Sequence, residues 1–360
     1  MIRFFLCFFT SLNLYALLPP APLSLEEKIG ALLVVHFHGT SLNEEALFYL
    51  NHLHVGGFIY YTWANPFSNP EEIKTLNSAL QSLSKIPLLI GVDQEGGKVI
   101  RLKEGFSQFA SQQTIASRYS PTYAYASALI TGQELRFVGI NTNFAPVVDV
   151  DSNPLNPIIG SRSFSSDPHK VVEFAQNSLQ GYREASVLAT LKHFPGHGDT
   201  TADSHLTLPV VNKSLNELLA CELYPYQHLQ ADAIMTAHIL VPALDPKACA
   251  TISQPILQHL LRETLHFQGL IISDSLVMQG LLQQTGSIEE AAILALNAGC
   301  DLLLLGGKLL QGSAHYELSP QDIQKIHQAL VHAVHSGRLS MARIDQSIQK
   351  ILAIKEKYRF

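Results

Sequence analysis

Residues 187–205 read VLATLKHFPGHGDTTADSH. The first five, Val187 to Leu191, are apolar or β-branched with no polar alternation. That pattern belongs to a strand buried on both faces, not to one with a wet face. At Lys192 the character changes. Residues 192–205 hold three histidines, two aspartates and one lysine among glycines, a proline and small polar side chains. Such a stretch cannot build a core, because nearly every side chain in it needs a polar partner. A buried strand that empties into a loop dense in titratable groups is the usual setting of catalysis.

The same transition recurs along the chain. Further apolar runs lie at 32–37, 58–61, 88–93, 143–148, 234–238, 270–274 and 301–305, with the run at 189–193 making eight. Between them the hydrophobic period changes to that of helices, at 43–52, 70–84, 123–137, 168–184, 214–220, 254–264 and 287–297. Two of these open on capping-box patterns, Ser214 with Glu217 and Ser287 with Glu290. Eight strands alternating with helices predict an α/β fold, a (β/α)8 TIM barrel in a single domain. An open doubly wound sheet is the alternative; the count of eight and the lack of a GxGxxG turn favour closure. Asp93, Asp149, His193, His238 and Asp274 all fall at or just beyond strand C-termini, the face of a barrel that carries the active site. Helices at 320–335 and 340–358 follow, the second with Ile344, Ile348, Ile351 and Leu352 on one face, and are expected to pack on the barrel.

Composition narrows the partners. The chain has 360 residues, 47% hydrophobic and 15% charged, with net charge −6, enough apolar material for a large core. No basic run or basic-aromatic patch appears, so a nucleic-acid partner is not expected. Cys7, Cys221, Cys249 and Cys300 are scattered without metal-type spacing, and Cys300 in its apolar run reads as a free, buried thiol. The N-terminus carries Arg3, an apolar run from Phe4 to Leu12 and then Ala16. This is the pattern of a secretory signal, predicting removal of residues 1–16, a mature domain 17–360 and an exported or periplasmic location. A hydrophobic first element of a cytoplasmic protein is the alternative. The run is shorter than the ~20 residues of a spanning helix, so no stable membrane span is expected once it is removed.

Taken as bare chemistry, His193, His197, His205, Asp199 and Asp203 have the side chains of a zinc site, which would make a metal-dependent hydrolase. Helical HExxH spacing is absent, and the glycines and proline make the segment a loop. The glycines flanking His197 leave that loop room to move.

Several motifs in order carry a more specific reading. They are GVDQEGG at 91–97 with Arg101, NFAPVVDV at 143–150, NPIIGSRSF at 156–164, KHFPGHGDT at 192–200 followed by DSH at 203–205, and ISDSL at 272–276. Together they resemble glycoside hydrolase family 3, within it the single-domain β-N-acetylhexosaminidase branch. The resemblance implies a retaining hydrolase that removes non-reducing terminal N-acetylglucosamine through a covalent glycosyl-aspartate. It implies Asp274 as nucleophile and His205 with Asp203 as a His–Asp acid/base dyad. It implies Asp93, Arg101, Arg162, Lys192 and His193 as sugar contacts, with peptidoglycan fragments as the glycan, no metal or other cofactor, and a monomer. His197 and Asp199 are left to stabilise the loop.

The residue chemistry agrees. Retaining hydrolysis needs a carboxylate nucleophile and an acid/base. A histidine with an unperturbed pKa near 6.5 can both give and take the proton near neutrality. Ser275 stands where many relatives have a second aspartate. Two alternatives remain open at this point: a phosphorylase on the same scaffold, because a histidine does not repel phosphate, and a sugar-binding barrel without catalysis.

Overall fold

The computed structural model describes residues 22–311 and 314–360; the expected signal segment 1–16 lies outside them. Eight strands form one all-parallel sheet: Leu33–Val35, Gly57–Tyr60, Leu89–Val92, Thr142–Asn143, Leu188–Phe194, Ala233–Thr236, Leu270–Ile272 and Leu303–Leu304. Each pairs with its sequence neighbours, and the eighth pairs with the first through Leu33↔Leu303. A parallel bridge Ile272↔Leu302 joins the seventh to the eighth and closes the ring. The chain is thus the (β/α)8 barrel expected. All eight strands are buried along their whole length, which is why they lack alternation.

Two of the strands are only two residues long, well short of their apolar runs. The run at 143–148 gives only Thr142–Asn143, because Pro146 has no N–H to continue a ladder. The chain still follows its neighbour through Thr190 N–H to Ala145 O (3.0 Å) and Val148 N–H to Lys192 O (2.9 Å). The eighth run begins with Asp301, which is not strand: its carboxylate is clamped by Arg262 (2.7 Å) and Arg343 (3.0 Å).

The helices run close to their expected bounds, for example Pro70–Leu83, Pro168–Glu184 and Pro320–His335. Ser214 and Glu217 make the expected capping box. Ser287 makes only half of one: it accepts from Glu290 N–H, but the Glu290 carboxylate is taken by Arg338 at 2.7 Å. An unforeseen helix, Leu25–Ala31, opens the described chain with a capping box of Ser24 and Glu27. The two C-terminal helices pack against it, as His327 to Glu26 O (2.9 Å) and Lys28 to Asp345 (2.7 Å) show. Within Met341–Lys357, Ile344, Ile348 and Ile351 are buried but Leu352 is exposed. Leu352 falls on the flank of the helix, and Lys355 takes the next inward place, donating to Gly56 O at 3.2 Å. Cys300 is a free, buried thiol, as expected. Among the described residues no helix is long and apolar enough to cross a membrane.

Candidate active site

A cavity of about 360 Å³ opens at the C-terminal ends of the strands. That size suits a small ligand.

One wall begins with Asn143, at the end of the fourth strand. Its side chain accepts from Gln94 N–H (3.0 Å) and donates to Gln94 O (3.0 Å). The Gln94 side chain in turn accepts from the N–H groups of Arg101 and Leu102 at 3.0 and 3.1 Å. These bonds fix the hairpin of Gln94–Gly96 and Val99–Ile100, and so fix Glu95. Arg162 donates two bonds to Glu95, at 2.9 and 2.8 Å, and Lys192 reaches the same carboxylate at 2.6 Å. Lys192 also donates to Asp93 at 2.7 Å, and Arg101 stands 3.8 Å from Asp93. Burial pushes the Glu95 carboxyl up, but the Arg162 and Lys192 cations outweigh it and hold the carboxyl well below its usual range. The carboxylate partner of Arg162 is thus Glu95, not Asp93.

His193 ends the strand that Lys192 sits on. Asp149, fully buried, accepts from His193 N–H (3.1 Å), His193 Nδ1 (2.7 Å) and His197 N–H (2.6 Å). Nδ1 of His193 therefore carries the proton, and Nε2 faces the cavity, 3.5 Å from Arg162. Asn156 ties the segment that bears Arg162 to the His197 loop, donating to His197 O (2.8 Å) and Gly198 O (3.1 Å). The glycines of that loop serve close approach rather than motion. A Cβ on Gly198 would lie 1.7 Å from Val150 O, and one on Gly196 2.6 Å from Glu222 Cβ. His197 has a structural place, its ring nitrogens bonded to Thr200 (2.8 Å) and Ser204 (3.1 Å), and burial pushes its pKa down to about 4. Asp199 pairs with Lys213 at 3.6 Å, away from the cavity lining.

Asp274 follows the seventh strand and lines the cavity. Its neighbours are pinned on both sides. Ser273 accepts from Leu304 N–H (3.0 Å), and Ser275 donates to Gly306 O. His238, at the end of the sixth strand, contacts Ser275 O through Nε2 (2.9 Å) and Thr251 through Nδ1 (2.7 Å). Ser275 thus has a structural task at the family's second-aspartate position. Among the described residues no cation lies within 4.0 Å of Asp274. Burial pushes its carboxyl up, but the fields of His238, His193 and His205 outweigh burial and leave it below the usual range.

His205 comes to the cavity from the loop after the fifth strand. Its Nδ1 and its backbone N–H both reach Asp203 Oδ1 at 2.8 Å. Among the described residues Nε2 makes no hydrogen bond. Burial alone would lower the His205 pKa, but the hydrogen bond to Asp203 and the charge of Asp274 raise it. Asp203 stands behind the ring, not in the cavity lining.

The structure therefore gathers Asp93, Arg101, Arg162, Lys192, His193, His205 and Asp274 around one cavity, with Asp203 one step behind. Among the described residues it does not gather His193, His197 and His205 as metal ligands, since their ligand atoms do not all fall within 4.8 Å of one another. Glu95 escaped the sequence reading, although it lies two residues after Asp93 in the same motif. So did the aromatic wall of Tyr61 stacked on Trp63, with ring centroids 5.3 Å apart. Neither residue belongs to a polar cluster that would have marked it.

Comparison with known proteins gives the same outline. The family described as "Glycosyl hydrolase family 3 N terminal domain" matches residues 24–354. A protein named Beta-hexosaminidase from Haemophilus influenzae (strain PittEE) is 39% identical over 281 residues, covering 76% of this chain and 79% of its own. Beta-hexosaminidase A of Pseudoalteromonas piscicida is 34% identical over 345 residues, 88% of this chain and 56% of its own. A solved glycoside hydrolase family 3 beta-N-acetylglucosaminidase from Paenibacillus sp. str. FPU-7 superposes with a TM-score of 0.88 at 37% identity, covering 94% of this chain and 63% of that one. This chain thus spans less than two thirds of the length of some of these relatives.

Proposed function

The chain belongs to glycoside hydrolase family 3, and from that premise we propose that it is a retaining β-N-acetylhexosaminidase. Its substrate is a glycan with a non-reducing terminal N-acetylglucosamine. The observation that carries the reading is the His205 Nδ1 to Asp203 Oδ1 bond of 2.8 Å beside a cavity that Asp274 also lines.

In this reading Asp274 attacks the anomeric carbon and forms a glycosyl-aspartate. Its low pKa keeps it ionised and nucleophilic. His205, held as the acid by Asp203, gives its proton to the leaving-group oxygen through Nε2. It then takes a proton from the attacking water, so the released sugar keeps its β configuration. Asp203 orients the ring and stabilises the imidazolium, as the third member of a triad does. Asp93, Arg101, Arg162, Lys192 and His193 hold the sugar and its acetamido arm. Glu95 keeps Lys192 and Arg162 in position without a search among rotamers.

The aglycone proposed is a peptidoglycan fragment. Supporting it, Arg101 and Lys308 line the cavity and are each about one third exposed, which suits a carboxylate-bearing acceptor. The protein would act as a monomer, exported on residues 1–16; light scattering and the mass of the mature N-terminus check these two points.

Hydrolysis of an aryl β-N-acetylglucosaminide by wild type and Asp274→Ala tests the reading. Loss of at least about 10³-fold in kcat is expected, with β-configured free sugar as first product. Full activity in the variant overturns the nucleophile assignment. Sugar 1-phosphate as the main product in phosphate buffer would make the enzyme a phosphorylase.

A further inference from the structure

Behind the aromatic wall lies a group of side chains that the hydrolytic reading does not use. The first strand ends at Val35, and His36, Phe37 and His38 follow it outside regular secondary structure. Phe37 is buried in the core, while the rings of His36 and His38 lie beside each other with centroids 5.8 Å apart. There they meet Glu317, which follows the hairpin Leu309–Gln311 and Ala314–Tyr316. His38 Nε2 lies 2.7 Å from Glu317 Oε2, and His36 Nε2 lies 3.8 Å from the same oxygen. Among the described residues this is the one group of three His, Cys, Asp or Glu side chains whose ligand atoms all fall within 4.8 Å of one another.

An ordinary His38–Glu317 ion pair leaves much of this unexplained. His36 is only 3% exposed, yet among the described residues neither of its ring nitrogens makes a hydrogen bond. Among the described residues Nδ1 has no partner, and Nε2 faces Glu317 across a gap too long for a bond. A buried polar group without a partner is costly. Two imidazoles and one carboxylate are the donor set of many zinc sites. Tetrahedral bonds of ~2.0 Å put neighbouring ligand atoms roughly 3.3 Å apart, and the separations of 2.7 and 3.8 Å from Glu317 Oε2 bracket that value. The other carboxylate oxygen, Oε1, is held by Lys308 at 3.1 Å, which aims Oε2 at the histidines. His38 is 54% exposed, which leaves an entry path from solvent.

We propose that His36, His38 and Glu317 bind one divalent transition-metal ion of the zinc class. The three protein donors leave a fourth position to solvent, and the ion takes no part in the hydrolytic step. Both histidine rings pack on Trp63, with centroids 5.1 and 5.5 Å from it, and Lys308 lies 4.2 Å over the same ring. Trp63 and Lys308 line the cavity, so a bound ion would brace that wall from behind.

Titration of the chelator-treated, dialysed full chain with zinc chloride, followed by calorimetry and by thermal unfolding, tests this. Wild type should take up one ion per chain, and its Tm should rise with zinc, because the folded state alone has the site. His38→Ala, at an exposed position, and Glu317→Gln, an isosteric change at a half-buried one, should fold normally and lose affinity by more than about 100-fold, beyond the effect of losing a partner one step removed from a metal. His205→Ala should keep the full stoichiometry, which separates this site from the His205–Asp203 dyad and from the hydrolytic reading. Zinc uptake that survives both His38→Ala and Glu317→Gln overturns the proposal. So does uptake that is lost in His205→Ala, or a wild type that binds none.

Discussion

Asp203 Oδ1 accepts two hydrogen bonds from His205, one from the backbone N–H and one from Nδ1, each 2.8 Å long. One carboxylate oxygen thus sets both the backbone turn and the ring. The hydrogen bond and the charge of Asp274 raise the His205 pKa above its ordinary value, so the acid form persists to higher pH. The stabilisation that this proton gives the fold is complete below about pH 6.5 and fades as pH rises through the folded-state value. Asp203→Asn removes one source of the rise. The alkaline limb of the kcat/KM profile should move to lower pH, and kcat on a poor leaving group should fall by about 10² or more. An aryl leaving group that needs no proton should be much less affected. A profile unchanged in position would remove Asp203 from the acid/base role.

Glu95 shares its carboxylate between Arg162 and Lys192 in a nearly dry setting. Breaking such a cluster from one side leaves two cations short of a partner. Glu95→Gln should cost about 3 kcal/mol of stability in urea unfolding. It should also raise KM more than it lowers kcat, since Arg162 and Lys192 lose their alignment but touch no bond that breaks. Stability within ~0.5 kcal/mol of wild type would show that water screens the cluster.

The loop after the fifth strand is tied down at its start. Gly198→Ala would drive a Cβ to 1.7 Å from Val150 O, and overpacking against backbone should cost about 3 kcal/mol. Gly160→Ala is the comparison: φ there is +45° but nothing lies within 4 Å of a new Cβ, so the cost is backbone strain of about 1 kcal/mol. Equal effects in thermal unfolding would mean that backbone conformation, not close approach, explains Gly198.

What the sequence made legible was whatever depends on near neighbours in the chain. The strand Leu188–Phe194 announces itself by composition, and His205 finds Asp203 two residues away. Asp274 is marked by its position after an apolar run. Glu95 was missed because its partners Arg162 and Lys192 lie far along the chain, and only barrel closure brings them together. The glycines around His197 were read as freedom, since sequence shows no Val150 carbonyl pressed against them. Ser287 has the right spacing for a capping box, but Arg338, 48 residues beyond Glu290, competes for the carboxylate. Leu352 shows the same limit on a helix, where the last inward position went to Lys355 because a carbonyl of Gly56 was there to receive it.

Asp149 lies fully buried between His193 and His197 and accepts three N–H bonds from them. Burial pushes its carboxyl up, but the His193 charge and hydrogen bond, with His197 behind them, leave it below its usual value. A depressed folded-state pKa stabilises the protein above the unfolded value of about 3.9, and that stability is lost as pH falls through the folded one. Asp149→Asn removes the dependence. Its amide can still accept from one or two backbone N–H groups, but its NH2 group faces His193 Nδ1 and favours the opposite tautomer, with the proton on Nε2 beside Arg162. Near neutral pH the variant should be about 2–4 kcal/mol less stable, and substrate affinity should fall with it. Between about pH 5 and pH 2 the gap from wild type should narrow, because only wild type loses this carboxylate. A gap that stays constant across that range would place the cost of the substitution in packing, not in charge.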